Sequence, residues 1–218
     1  MNDHAAARLN MVANQIRPNR VTDERLIDAM TEVPRELFVP QKLRGVAYID
    51  EDIAVAPGRF LMEPMVLARL LQTADIREAD VVLDVGCATG YSTAVVARLA
   101  AAVVALESDA RLAAEATRLL AELGVDNAAV ATGRLNRGYP KQAPYDVIVL
   151  QGAVDEVPRK LRDQLGDGGR LLAVVSLDGR AGKATLMKKV HGTVSKRVVF
   201  DAAVPTLPGF AKAPRFVF

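Results

Sequence analysis

The chain has 218 residues, half of them apolar, which suits one sizeable core and one domain with an appendage better than two domains. Its 28 basic and 26 acidic residues leave a net charge of +2, so bulk charge gives no reason to expect nucleic acid or an acidic membrane as partner. The single cysteine, Cys87, excludes an internal disulfide framework and a Cys-based zinc site, and no metal is expected; a polar start and the lack of any apolar run approaching ~18 residues suggest a soluble, cytoplasmic protein.

In chain order, residues 3–16 and 23–32 have helical patterning, with Thr22 or Asp23 as N-cap of the second helix. "VPRELFVP" breaks that pattern at Pro34 and Pro40. Residues 41–62, with Pro57-Gly58 inside them, read as a loop, and a helix starts near Glu63-Pro64, where proline is tolerated in the first turn. From Asp80 the chain alternates. "VVLDV" is a buried-strand run and "YSTAVVARLA" a helix; "AVVALE" is a strand, and "DARLAAEATRLLAELG" a long helix ending at Gly124. "AAVAT" is a weak strand, "YDVIVLQ" a strong one, "DEVPRKLRDQLG" a helix and "GRLLAVVSL" another strand. This alternation predicts a parallel sheet covered on both faces. "ATLMKKV" and "KRVVFDAAV" are too close around Gly192 for a parallel crossover and predict an antiparallel hairpin on the sheet edge.

The stretch "DVGCATGYS", Asp84 to Ser92, leaves the first of these strands and enters a helix. Bare backbone there lets amides approach a ligand, and a helix N-terminus favours negative groups. The dinucleotide fingerprint would need a third glycine at position 91, which is Tyr91. The observed Asp84-x-Gly86-x-Ala88-x-Gly90 instead matches the D/E-x-G-x-G-x-G loop of S-adenosylmethionine-dependent methyltransferases, with alanine at the middle glycine. Glu107 ends the next strand, 21 positions after Gly86, where an acid can accept from both hydroxyls of a ribose. The alternative is a tight turn without a ligand. Cys87 reads as a small filler rather than a nucleophile, and His4 and His191 as surface residues.

Nearly end to end, the chain resembles the protein-L-isoaspartate O-methyltransferases. The residues that carry the resemblance include "MVANQI", "VTDERLIDAMTEVPRELFVP", "AYIDEDI", "GRFLMEPMVLARLLQ", "VLDVGCATGYSTAVVARLA" and the pairing of "APYD" with "GGRL". The resemblance implies an α/β fold: a doubly wound, mostly parallel Rossmann-like methyltransferase sheet with a C-terminal antiparallel edge and an N-terminal helical appendage. Residues 1–62 would form the appendage and 63–218 the methyltransferase domain, one structural unit overall. It also implies methyl transfer from S-adenosylmethionine to the α-carboxylate of isoaspartyl residues in damaged protein, with a protein or peptide as partner. The alternatives are a different acceptor or a non-catalytic binding module. The residues implied in cofactor binding are Asp84, Gly86, Cys87, Ala88, Thr89, Gly90, Glu107, Ser108, Gly133, Arg134, Leu135 and Gln151.

The chain departs from the family in two loops. Where the family reads close to G-Q-T-I-S-x-P, this chain has Gly58-Arg59-Phe60-Leu61-Met62-Glu63-Pro64. Phe60 and Met62 replace hydroxyls and cannot donate to a carboxylate. Glu63 adds a like charge, and Arg59 reads either as a partner for the substrate or as a solvated loop residue; Arg59, Phe60 and Met62 form the substrate loop, with positioning roles only. Where the family has G-D-G at the adenine, Gly133-Arg134-Leu135 offers a donor-only side chain that could stack on the ring. Gln151 stands where the family usually has Thr. Lys183, Lys188, Lys189, Lys196 and Arg197 read as edge-strand protection ahead of nucleic-acid binding. The tail "VPTLPGFAKAPRFVF" reads as a lid on the site or a surface that packs on a neighbour.

Overall fold

The computed structural model describes residues 3–176 and 181–211. The expected first helix is built in three pieces: α1 (His4–Met11), capped by the Asp3 side chain, a π-helical turn over Val12–Ile16, and a 3-10 turn over Arg17–Asn19 that contains Pro18. Asp23 caps α2 (Glu24–Glu32) by accepting from the Arg25 and Leu26 amides. The segment expected to be a loop is more ordered than that. Gln41–Val46 forms a 3-10 helix, and β1 (Ile53–Ala56) pairs antiparallel with β2 (Arg59–Leu61) across Pro57-Gly58. Gly58 has φ +67, the left-handed conformation that glycine supplies in the second central position of a Pro-Gly turn. Pro64 opens α3 (Pro64–Ala74) at its first turn, as expected.

The main sheet has seven strands in the order β5-β4-β3-β6-β7-β8-β9. Its strands are β3 (Val81–Val85), β4 (Ala102–Glu107), β5 (Ala128–Thr132), β6 (Tyr145–Val154), β7 (Leu165–Val175), β8 (Gly182–Val190) and β9 (Thr193–Ala202). β5, β4, β3, β6 and β7 pair parallel, while β7–β8 and β8–β9 are antiparallel. The edge hairpin turns at His191 and Gly192, both with positive φ. β3 lies between β4 and β6. Strand order reverses there, and the ends of neighbouring strands part to leave a crevice.

The two faces are covered unequally. One face packs Val82, Val147, Val149 and Leu172 against Met11, Ile16, Leu26, Met30, Leu67 and Leu71, together with residues of α4 (Tyr91–Ala97) and α5 (Ala110–Glu122). The described part of the N-terminal segment, residues 3–62, therefore shares one core with the sheet. The other face packs Leu83, Val85, Leu106, Ile148 and Leu150 against Leu135, Leu161, Leu207 and Phe210. The helix expected over 155–166 is reduced to the single turn α6 (Arg159–Arg162), because β7 begins at Leu165 to pair with Tyr145. The C-terminal stretch supplies the cover that a longer helix would have given. Ala153 exchanges hydrogen bonds with Pro205 and Leu207, and Thr206 bridges Ala153 in parallel. Residues 204–211 thus lie over the sheet, whereas Leu177 and residues 212–218 of the expected elements fall outside the described residues.

Candidate functional site

At the switch point the backbone turns as its glycines suggest. Gly86 has φ +83 and Gly90 φ +97, and the Gly86 and Cys87 amides both donate to the Leu106 carbonyl. Ala88, where the motif ordinarily has glycine, sits at φ +51, a region that costs a Cβ-bearing residue roughly 1–2 kcal/mol. Asp84 is fully buried. Its Oδ2 accepts from Ser92 Oγ and Thr93 Oγ1, both at 2.7 Å, and its Oδ1 from Gln151 Nε2 at 2.7 Å. Burial pushes the Asp84 pKa up, against the pull of those three donors. Asp84 therefore ties the end of β3 to the first turn of α4 and to β6. Gln151, expected at the cofactor, also lines the small neighbouring cavity while its Nε2 holds Asp84. Thr89 donates to the Phe38 carbonyl at 2.6 Å, anchoring the turn to the "VPRELFVP" segment. Cys87 is 1% exposed and burial pushes its thiol well above the ordinary range, in keeping with a filler.

Glu107 ends β4 with both carboxylate oxygens engaged. Oε2 accepts from the Ala88 amide at 2.8 Å and from Arg59 Nη2 at 2.7 Å. Oε1 accepts from the Ser108 amide, the Ser108 hydroxyl, the Asp109 amide and Arg59 Nε. Burial alone would raise the Glu107 pKa; the Arg59 hydrogen bond and charge, together with the Asp109 and Ala88 amides, outweigh it, and the group titrates below the usual range. Arg59 is 4% exposed and also donates to the Gly86 carbonyl at 2.8 Å. It is neither a solvated loop residue nor free for a substrate in this conformation. The hairpin explains why: along β2, Arg59 and Leu61 point inward and Phe60 is only half-buried. The alternation "IAVA-PG-RFL" carried that signal, and reading 41–62 as a loop missed it.

The remaining expected residues divide. Leu135 is buried beside the turn, while Arg134 and Ser108 are exposed. The Gly133 amide donates to the Glu107 carbonyl, so the adenine-side loop is tied to the end of β4. Met62 is buried, and its carbonyl accepts from Arg35. Glu63 donates its amide to Asp52, and its carboxyl is raised to about 7, by burial first and then by the charges of Asp52, Asp50 and Glu51. A raised carboxyl stabilises the fold while protonated, and that contribution fades as pH climbs from the unfolded value through about 7. Replacing Glu63 by Gln should therefore raise the melting temperature at about pH 8 and barely change it at about pH 4. Discounted for solvent screening at this half-buried site, the gain is about 1 kcal/mol, or about 2–4 °C; equal shifts at both pH values would contradict this.

The crevice that S-adenosylmethionine would enter is closed in this conformation. The bare glycine turn and the acid at the end of β4 have the right chemistry for it, but their ligand-facing sides are covered. A Cβ built on Gly86 would stand 2.8 Å from Leu207 Cδ2 and 3.2 Å from Arg59 Nη2; one on Gly152 would stand 2.9 Å from Leu207 Cγ. The neighbouring cavity, lined by Arg59, Phe60, Met62, Gln151, Gly152 and Pro205 among others, has a volume of about 10 Å³. That is room for about one water, against about 300 Å³ or more for a ligand pocket.

Comparison with known proteins gives a consistent answer. The family described as protein-L-isoaspartate(D-aspartate) O-methyltransferase matches residues 7–206. A protein-L-isoaspartate O-methyltransferase of Methanoculleus marisnigri is 43% identical over 77% of this chain and 76% of its own length. One from Rhodopseudomonas palustris is 37% identical over 81% and 72%. A solved protein-L-isoaspartate O-methyltransferase superposes with a TM-score of 0.80 at 26% identity, covering 93% of this chain and 66% of that one. The fold is also shared with a Plasmodium falciparum structure of a putative member, TM-score 0.78 at 19% identity, over 95% and 99% of the two chains.

Proposed function

The chain belongs to the protein-L-isoaspartate O-methyltransferase family, whose members are S-adenosylmethionine-dependent enzymes, and on that premise we propose that it methylates a carboxylate in protein, the α-carboxylate of an isoaspartyl residue being the first candidate. The observation that carries this reading is the Asp84–Gly90 turn at the point of strand reversal with Glu107 at the end of the adjacent strand. An acceptor carboxylate with an ordinary pKa near 4 is ionised at neutral pH. The chain then has no proton to move, and its contribution is to position and desolvate the acceptor. His4 and His191 stay out of the reaction, and Phe60 and Met62 offer an apolar wall where the family offers hydroxyls. The setting we propose is cytoplasmic, with protein substrates and neither nucleic acid nor membrane as partner. On the edge hairpin Lys183 pairs with Asp201 and Lys189 donates to the Leu165 carbonyl, which supports edge protection over a nucleic-acid surface. The test is incubation with methyl-labelled S-adenosylmethionine and an isoaspartyl peptide: label should enter it and not the matching aspartyl peptide, and equal or no incorporation would sink the assignment.

A second reading, a binding module without turnover, is favoured by the Arg59–Glu107 pair and by the lost loop hydroxyls. Any specific methyl incorporation by the unmodified protein eliminates it.

A further inference from the structure

We infer that Arg59 is an internal competitor for the methyl donor: with Leu207 it holds the place on Glu107 and Gly86 that a nucleoside must take, so the donor binds only when Arg59 leaves. This rests on the reading that the family's donor is also this chain's. The chemistry of the two occupants is the same. A ribose would offer Glu107 two hydroxyl donors side by side, and Arg59 offers it two nitrogen donors, Nε at 3.3 Å and Nη2 at 2.7 Å, one to each oxygen. An ionised carboxylate has about four acceptor sites. Six donors already converge on that of Glu107, the Ala88, Ser108 and Asp109 amides, the Ser108 hydroxyl and the two Arg59 nitrogens, so a ribose is not added while the guanidinium stays. Arg59 also caps the Gly86 carbonyl, the Nη2 sitting over the glycine that would otherwise face the ligand.

The two blocking side chains differ in how they are held. The Leu207 backbone is anchored where its amide donates to the Ala153 carbonyl, beside the Ala153 amide's bond to the Pro205 carbonyl. Arg59 is held through its side chain, by its bonds to Glu107 and Gly86, on a two-stranded hairpin whose Ile53 and Leu61 pack into the core and whose tip, Pro57-Gly58, is exposed. The Arg59–Glu107 pair is what holds the crevice shut, and it opens when the Arg59 side chain swings off Glu107 and Gly86 and the Leu207 side chain turns off the glycine on its anchored backbone. Apparent affinity for a nucleoside falls in proportion to the fraction of molecules in which the pair is broken. The position that sets donor affinity is thus in the loop otherwise assigned to the acceptor.

The experiment is calorimetric titration of S-adenosylhomocysteine into the wild-type chain, Arg59→Gln and Arg59→Lys, each checked for a cooperative melt. Arg59→Gln should bind about tenfold more tightly than wild type or better. Arg59→Lys, which keeps a charge beside Glu107 but loses the fork that reaches both oxygens and Gly86, should bind with intermediate affinity and covers the case in which the Gln variant does not fold. Equal affinity in wild type and variants, or no binding by any folded variant, overturns the inference. A variant that binds tightly but transfers no methyl group to the isoaspartyl peptide supports the inference and overturns the functional assignment, so the two failures are distinguishable.

Discussion

Replacing Glu107 with alanine is expected to destabilise the protein by about 3–5 kcal/mol, lowering the melting temperature by about 10 °C at this chain length. The size follows from what the carboxylate leaves behind. Arg59 is 4% exposed and would become an unpaired buried cation, and the Ala88 amide would lose its acceptor in a turn that nothing else satisfies. The remedy is specific. Adding Arg59→Met to Glu107→Met should recover the part of the loss that comes from the uncompensated cation, while the Ala88, Ser108 and Asp109 amides still lack their acceptor. A thermal or urea double-mutant cycle reads the coupling directly. Near-additive single and double variants would mean that the pair is not closed in solution. The pH dependence has a definite sign. Glu107 titrates below its ordinary value in the folded state, so its contribution is complete above about pH 5 and is lost as pH falls through the folded pKa. The wild type should therefore lose stability on acidification more steeply than the Met/Met double variant.

How much of this was legible in the sequence depends on whether the deciding contacts were local. β3, β4, β6 and the second half of β7 are short runs dominated by apolar residues, nearly all of them buried in the sheet. Asp84, Glu107 and the glycine turn lie at strand ends where pattern alone places them, whereas the strand order, which reverses at β3, is not contained in the alternation. Asp23 and Asp109 cap α2 and α5 through bonds to amides two and three residues on, a signal within one turn of chain. The rest depended on distant partners. Arg59 meets Glu107 across 48 residues and Gly86 across 27, and neither spacing leaves a trace in a local window. Gln151 reaches Asp84 across 67, which is why a residue expected at the cofactor also supports the turn. The short α6 has the same origin, since β7 extends back to Leu165 to follow Tyr145. The β1–β2 hairpin differs, because its sign is local: the Pro57-Gly58 turn between two alternating stretches.

The second large effect is expected at Arg35, which couples the acceptor-side loop to the glycine-turn helix. Its side chain is fully buried. Nε donates to the Ala47 carbonyl and Nη2 to the Met62 carbonyl, both at 2.7 Å, and the guanidinium lies 4.8 Å from the centre of the Tyr91 ring at the start of α4. Burial lowers the Arg35 pKa, so the cation is held at a cost. That cost is offset by two carbonyls and an aromatic face rather than by a hydrogen-bonded carboxylate. Arg35→Ala leaves two buried carbonyls without donors and a large void against Tyr91, and should destabilise by about 3–5 kcal/mol. Arg35→Lys should recover less than half of this, because one ammonium on a flexible stem cannot span both carbonyls with the planar fork they are spaced for. Hydrogen exchange separates this from a general loss of stability. In the Lys variant the amides of β1, β2 and the start of α3 should lose protection before those of β3, β6 and β7, since Met62 links that hairpin to the core through Arg35. Uniform loss of protection across the sheet and the hairpin would refute the coupling and leave Arg35 as a packing residue alone.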